Sequence, residues 1–560
     1  MIKKFHLYDW LEPLVYIFII VYWSAQQILT NNGTYIDTDN YFHVLRTIDF
    51  MQNPSIFEHR FMWSNYPFGE ISHWTKLPDI LMSLLILPFL PFYPLKEAAF
   101  AGGLLFNPFL LITTFLVCWL GVKNLLNFRS RIAFFVILFA QIHFMQSFLA
   151  DRPDHHSLLI FLMAGTIWQI RCFSENKREK HLLFTAMFAA TSLWVSAEGI
   201  FLYLGILGSF YLGYLLQKNK LSSIVKITGY YVCFTSIYYL INPPYQGYLY
   251  FDNGRLSLLY VLIAVWVNLS FYLSNFLKSK LKQTTLLILS AILLIALTYF
   301  GGLLSSPLDK TLQTAFTSRI SELNSGGNIY YLAYPLIGLI CAAKLLSKQS
   351  VLFTIYLTVN LALYTCLQIY AMRFLASAAL FSAFLIALKL NQTKWKNLSF
   401  LVAIFLLYNI DFISFALNTL ISNKIEDIKP QTPTQINLDS NLLPSGAVVT
   451  DVFIAPYVIW YTEKPVIASP YHRNVEGILD NHQILFSSDM NKVIKLIRKH
   501  KVGSIYIPQN MDSDYYKEPE KNCDKLYGQI MKCGNYPEWL IKKNYPNSYL
   551  YVVDWQKLPK

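Results

Sequence analysis

Charge is what this 560-residue chain has least of: only 14% of its residues are Asp, Glu, Lys or Arg. Water-soluble domains carry about a quarter. With 54% hydrophobic residues and a mean hydropathy of +0.37, that deficit excludes an ordinary soluble globular protein and makes lipid the solvent for much of the chain. Acids are scarcer than bases, leaving a net charge of +13. No helix-turn-helix pattern and no groove of interleaved aromatic and basic residues is present, so the excess is expected in cytoplasmic loops and not against nucleic acid. The chain has no P-loop and no dinucleotide fingerprint, which removes the usual nucleotide-driven chemistries. It also has no internal repeat and no low-complexity tract. The first apolar run, about 11–29, is not followed by a small-residue cleavage site, and it reads as a retained span. Cysteines number seven. Cys118, Cys233, Cys341 and Cys366 lie in apolar runs and read as small hydrophobes, while Cys172 sits at a span edge. Cys523 and Cys533 are the two in the polar tail, where an oxidising compartment would let them pair.

What is there is apolar runs. Spans are expected to begin near Leu11, Ala98, Arg131, Ser157, His181, Gly199, Ser223, Leu258, Thr285, Asn328, Val351, Arg373 and Leu398, about thirteen by hydropathy. The run "LPDILMSLLILPFLPFYPL" (77–95) contains Asp79 and four prolines, which suits an interfacial helix and not a crossing one. With that run left out, alternate loops collect the bases: Lys3 and Lys4; Lys123, Arg129 and Arg131; Arg171 to Lys180; Lys218 to Lys226; Lys278 to Lys282; Lys344 and Lys348; Lys389 to Lys396. The positive-inside rule then places the N-terminus in the cytoplasm and everything after about Ala416 outside, as in a bacterial inner-membrane protein with a periplasmic tail. The fold expected is a polytopic α-helical membrane domain, 1–422, with external loops 31–97, 150–156 and 305–327, followed by a small α/β extracytoplasmic domain, 423–560. In that tail "GAVVTD" (446–451), "KPVIASP" (464–470), "VGSIYIP" (502–508) and "SYLYVVD" (548–554) read as strands, and "MNKVIKLIRKH" (490–500) as a helix.

The few acids gather on the expected outer face. "IDTDNYFHVLR" (36–46) supplies Asp39, with His43 and Arg46 four and seven positions on, and "DRPDHHS" (151–157) supplies Asp154 and His156. In an extended segment Asp154 and His156 share one side while His155 turns away, which makes a carboxylate–imidazole half-site for a divalent ion, with Asp39 as a third ligand. The competing reading of Asp154 is a helix cap. Asp37 reads as solvated. Glu322, in "TSRISELNSGG", is followed by Ser-Gly-Gly, the pattern of a hinged loop that closes over substrate. Arg373, in "YAMRFLA", stands at the outer end of a span, where it would reach a lipid phosphate or pyrophosphate or simply snorkel.

Taken in order, these segments resemble the catalytic subunit of oligosaccharyltransferase and its single-subunit bacterial and archaeal relatives, membrane glycosyltransferases of the C class. "DNYFHVLR" matches that family's first-loop acid through Asp39, "DHH" its second-loop motif through Asp154 and His156, "RISE" its fifth-loop motif through Glu322, and "MRF" its late arginine through Arg373. The resemblance covers roughly 1–416. It implies a polyprenyl-linked glycan donor, a divalent ion (Mn2+ or Mg2+) held by Asp39, Asp154 and His156, catalytic roles for Asp39 and Glu322, and donor binding by Arg373. The family's Trp-Trp-Asp-Tyr-Gly motif has no counterpart. The comparable place reads "TDVFIAPY" (450–457), and "SPYHRN" (469–474) follows. Acceptor contacts are therefore expected from Asp451, His472 and Arg473, and the acceptor is protein, a lipid or a surface polysaccharide. A transporter is the reading from another class, but its ionisable groups would lie near mid-membrane on broken helices.

Overall fold

The computed structural model describes residues 8–31, 33–57, 60–72, 74–301, 323, 325–327, 329–347, 351–392, 443–471, 473–508, 523–545 and 548–560. The expected last span from Leu398, Glu322 and His472 lie outside the described residues. The chain divides into two compact units. One, helical, holds residues up to 34, 74–305 and 320–428. The other, built around a sheet, holds 35–73, 306–319 and 429–560.

In the helical unit, apolar runs become helices because a buried or lipid-facing backbone must satisfy its own hydrogen bonds. Seven described helices are long and apolar enough to cross a bilayer: Leu11–Thr30, Leu95–Val122, His155–Asn176, Leu221–Ile241, Lys280–Phe300, Leu352–Tyr370 and Met372–Asn391. Shorter apolar helices run over Gly199–Leu215, Leu258–Ser274 and Tyr331–Leu346. In Lys280–Phe300 only 6% of the apolar window is buried. An apolar helix so uncovered is stable in lipid, not in water. This is a helical membrane protein.

The span expected from Arg131 is broken into Phe128–Phe139 and Ile142–Gln146. The break falls at Gln141, whose backbone is extended, beside the polar His143. Segment 77–95 forms the helix Lys76–Ile86 and a short 3-10 turn, Leu87–Phe89. Eleven residues rise only about 16 Å, half a bilayer. Arg131 grips Glu12 through Nε, at 3.0 Å from both carboxylate oxygens, and through Nη2 at 2.6 Å.

The sheet unit has a short hairpin of β1 (Arg60–Phe61) and β2 (Glu70–Ile71) and a four-stranded sheet of β3 (Ala447–Val449), β4 (Val502–Pro508), β5 (Leu540–Lys543) and β6 (Ser548–Val553). Strand order is β3-β4-β6-β5, with β3 parallel to β4 and the other pairs antiparallel. The amphipathic helix Met490–Lys499 buries Val493, Ile494 and Ile497 in a core shared with Val449, Ile505 and Tyr551. Cys523 and Cys533 form a disulfide. The expected strand 464–470 is reduced to a single bridge, Val448 to Val466. Its backbone groups pair elsewhere: Val466 N–H donates to Trp63 O at 2.8 Å, and Asn65 N–H donates to Ile467 O at 3.1 Å. Residues 35–73 thereby fold as part of this unit, and His500 adds a side-chain tie, its Nδ1 lying 2.6 Å from Tyr66 O.

Candidate functional site

In the helical unit, Asp154 occupies the N-cap position of His155–Asn176 with an extended backbone, yet its carboxylate makes no cap hydrogen bond. The cap reading therefore fails on its own geometry. Asp154 Oδ1 instead lies 2.6 Å from His155 Nδ1, while Oδ2 lies 3.8 Å from His156 Nε2 and 3.6 Å from Arg152 Nη2. The alternation expected of an extended strand does not hold, because the helix begins at His155 and successive residues are turned by about 100°. His155 is turned toward the acid and not away from it. Burial opposes the Asp154 charge, but His156, His155 and Arg152 outweigh it and hold the carboxyl well below the usual range. Asn107 staples this loop: its amide donates to Leu149 O at 3.0 Å and to Arg152 O, and its Oδ1 accepts from Ser157 Oγ at 2.6 Å.

His156 also faces a cleft of about 430 Å³, counted with its open mouth, whose walls include Ser147, Ser192, Glu198, Tyr364 and Arg373. Arg373 Nη1 donates to Glu198 Oε1, and both side chains remain about a fifth open, at 21% and 22%. Burial raises the Glu198 pKa, Arg373 and the two histidines lower it, and the net result lies below the ordinary carboxylate value. Glu198 is a lone acid between two apolar runs, "LWVSAEGIF" (193–201). That isolation is the mark in the sequence of a site residue that no motif names. Ser-Gly-Gly is not a free hinge here. Gly326 N–H donates to Gln368 O at 2.9 Å and Ser325 Oγ to Ile369 O at 2.5 Å, a few residues before Arg373. A Cβ on Gly326 would sit 2.5 Å from Gln368 O, so glycine is required by that close approach.

In the sheet unit, Asp37 caps the helix Thr38–Gln52 by accepting the N–H groups of Asp39 and Asn40 at 3.0 and 3.2 Å. Asp39 follows on the first turn. The Tyr471 hydroxyl donates to Asp39 Oδ1, and Asp39 Oδ2 lies 3.5 Å from His43 Nε2. Burial, then the Asp39 charge, pushes the Tyr471 phenol well above its ordinary pKa, so it stays a donor. "SPYHRN", expected to meet phosphate or sugar, directs three side chains inward. Besides Tyr471, Ser469 donates to Glu70 Oε2, and Asn474 Nδ2 lies 3.4 Å from the same oxygen. Burial pushes Glu70 up to about 7, against Ser469, Ser64, Arg46 and Asn474, which pull it down. Asp451 is buried and accepts the Phe453 N–H at 2.7 Å, ahead of the helix Ala455–Thr462. Arg473 is half-buried in the same unit. In the helical unit an imidazole, an acid and a guanidinium line one cleft, and the imidazole, His156, leads to the ionised Asp154, a disposition that suits a cation and an anionic group together.

No protein-family model and no curated protein sequence matches the chain. Solved structures do. The archaeal oligosaccharyltransferase AglB of Archaeoglobus fulgidus, in complex with an inhibitory peptide and a dolichol-phosphate, superposes with a TM-score of 0.65 at 12% identity, over 99% of this chain and 75% of that one. The same organism's enzyme tethered to an acceptor peptide containing the NVT sequon gives 0.66 at 13% identity, over 100% and 75%. Its complex with Zn and sulfate gives 0.61 at 13%, over 97% and 73%. The chain shares the oligosaccharyltransferase fold along nearly its whole length.

Proposed function

We propose that the protein is a membrane glycosyltransferase of the oligosaccharyltransferase type, moving a sugar or oligosaccharide from a polyprenyl-(pyro)phosphate donor to an acceptor at the extracytoplasmic face. The observation that carries this reading is the cleft bearing His156 and the Arg373–Glu198 pair, in a chain whose fold is that of enzymes solved with dolichol-phosphate and with an acceptor peptide. In this reading the chain has about thirteen spans, the last from Leu398. The N-terminus is cytoplasmic, the membrane domain is 1–422, and the domain 423–560 is periplasmic in a bacterial inner membrane.

Arg373 binds the donor's phosphate by charge-assisted hydrogen bonds. Asp39, Asp154 and His156 are the ligands of a divalent ion, Mn2+ or Mg2+. The donor set fits it, since two carboxylates suit a hard cation, one imidazole is tolerated by Mn2+, and the Asp154 carboxyl is held ionised. When bound, such an ion screens the charge that grows on the leaving phosphate. Asp39 and Glu322 polarise the acceptor nucleophile, and His155 orients Asp154. Asp451, His472 and Arg473 bear on acceptor choice, Asp451 through the turn it caps.

A second reading keeps the fold and donor but gives a lipid or cell-surface polysaccharide as acceptor. It is favoured by "TDVFIAPY" standing where the resembled family has its acceptor-gripping motif. Analysis of lipid-linked and protein-linked glycans in a deletion strain separates the two. Accumulated donor with loss of protein-linked glycan supports the first, and loss of a surface polysaccharide with protein glycans intact supports the second. Unchanged glycans in every fraction would contradict both.

A further inference from the structure

We propose that Tyr471 is a positioning residue for Asp39, fixing which carboxylate oxygen is presented to a divalent cation. The inference rests on the reading of Asp39 as a metal ligand and deepens it. Asp39 sits on the first turn of its helix with 37% of its side chain open, so its carboxylate has room to rotate. The Tyr471 hydroxyl holds Oδ1, and Oδ2 is the oxygen on the His43 side. Tyr471 is itself immobilised, only 6% exposed, with its ring against Phe42 at a centroid distance of 4.1 Å. Phe42 lies three residues after Asp39 on the same helix, so one helix face seats the phenol ring and offers the acid to its hydroxyl. The segment carrying Tyr471 is clamped on both sides of it, by Ser469 and by Asn474 on Glu70.

The chemistry of the donor matters. A lysine or arginine in this place would cancel the negative charge that a cation needs. A phenol fixes the carboxylate and leaves its charge in place. Hydrogen bonds of this kind to ligating groups typically change metal affinity by about 10–100-fold when removed.

Tyr471→Phe deletes the oxygen and keeps the ring on Phe42. In full-length protein in detergent, Mn2+ binding followed by electron paramagnetic resonance of the free ion should weaken roughly 10–100-fold. The unfolding temperature should match wild type, and transfer should recover in excess Mn2+. Unchanged Mn2+ affinity in Tyr471→Phe, when Asp39→Ala abolishes binding, overturns the positioning role and leaves the proposed function standing. Transfer lost in Tyr471→Phe and not recovered by excess Mn2+, with affinity intact, overturns it as well. Mn2+ affinity indifferent to Asp39→Ala removes the ligand reading underneath, and the proposal with it.

Discussion

The two units hold their acids differently. In the helical unit Glu12 meets Arg131, Glu198 meets Arg373, and Asp154 meets two histidines and Arg152. In the sheet unit the half-open Asp39 meets a phenol, with His43 3.5 Å from its other oxygen, and the buried Glu70 meets a serine hydroxyl and a carboxamide. That unit also holds a buried acid by an ion pair, Asp480 with Lys499 and with the fully buried His500. Where lipid surrounds the structure an isolated charge is costly, so a retained acid needs a cationic or imidazole partner. In the sheet unit neutral donors hold both a half-open acid, Asp39, and a buried one, Glu70, and burial drives Glu70 toward its protonated form.

The largest effect expected tests the charged side of that contrast. Asp154→Ala should reduce transfer roughly 10²–10³-fold, the loss of several kcal/mol of transition-state stabilisation, with insertion preserved. His155→Ala and His156→Ala should both be severe, since His155 is the nearer imidazole. A mild His155→Ala would mean the 2.6 Å approach plays no part in activity.

Next comes the neutral side. Burial lifts Glu70 from 4.5 to about 7, so between those values the folded unit holds a proton that the unfolded chain has released. Stability therefore falls as pH rises through that window and levels off above it, by up to about 3 kcal/mol. Glu70→Gln stays neutral throughout. Hydrogen exchange around 469–474 should show it better protected than wild type at pH 8 and equal to it near pH 4. Parallel pH profiles would break the contrast between the units.

A smaller effect is expected at the cleft. Removing Glu198 alone or Arg373 alone leaves a partner without its counter-charge, at a cost of ~1–3 kcal/mol, less than full burial would give because both side chains are partly open. The double alanine variant should lose less than the two single losses added, read by thermal unfolding in detergent. Strict additivity would show that the pairing has no energetic content.

Local signals in the sequence were enough for a helical membrane domain, with seven helices of spanning length among the described residues, but not for the break in the run from Arg131. Apolar runs and loop lysines mark spans one at a time, and Asp39, Asp154, His156 and Arg373 each sit in a short recognisable pattern. What escaped was long-range pairing. Tyr471 and Asp39 are 432 positions apart, and nothing near Tyr471 announces its partner. Segment 464–470 is strand-like in composition, but most of its hydrogen bonds go to residues 63–66, and only one, from Val448 N–H to Pro465 O at 2.8 Å, joins it to the sheet. Gly326 was legible as permissive backbone, whereas the structure requires it for close approach to Gln368. His155 differs for another reason: the helix begins at that residue, so the period-two alternation of an extended segment ends before it.

The most direct test of the central claim is a transfer assay with purified full-length protein, a radiolabelled polyprenyl-linked glycan and Mn2+. Label should leave the lipid and appear on an acceptor, either an Asn-x-Ser/Thr peptide or a lipid or polysaccharide fraction, and chelation or Asp154→Ala should stop it. Donor that stays intact with every acceptor class and either metal, in wild-type protein shown to be folded, would contradict the account.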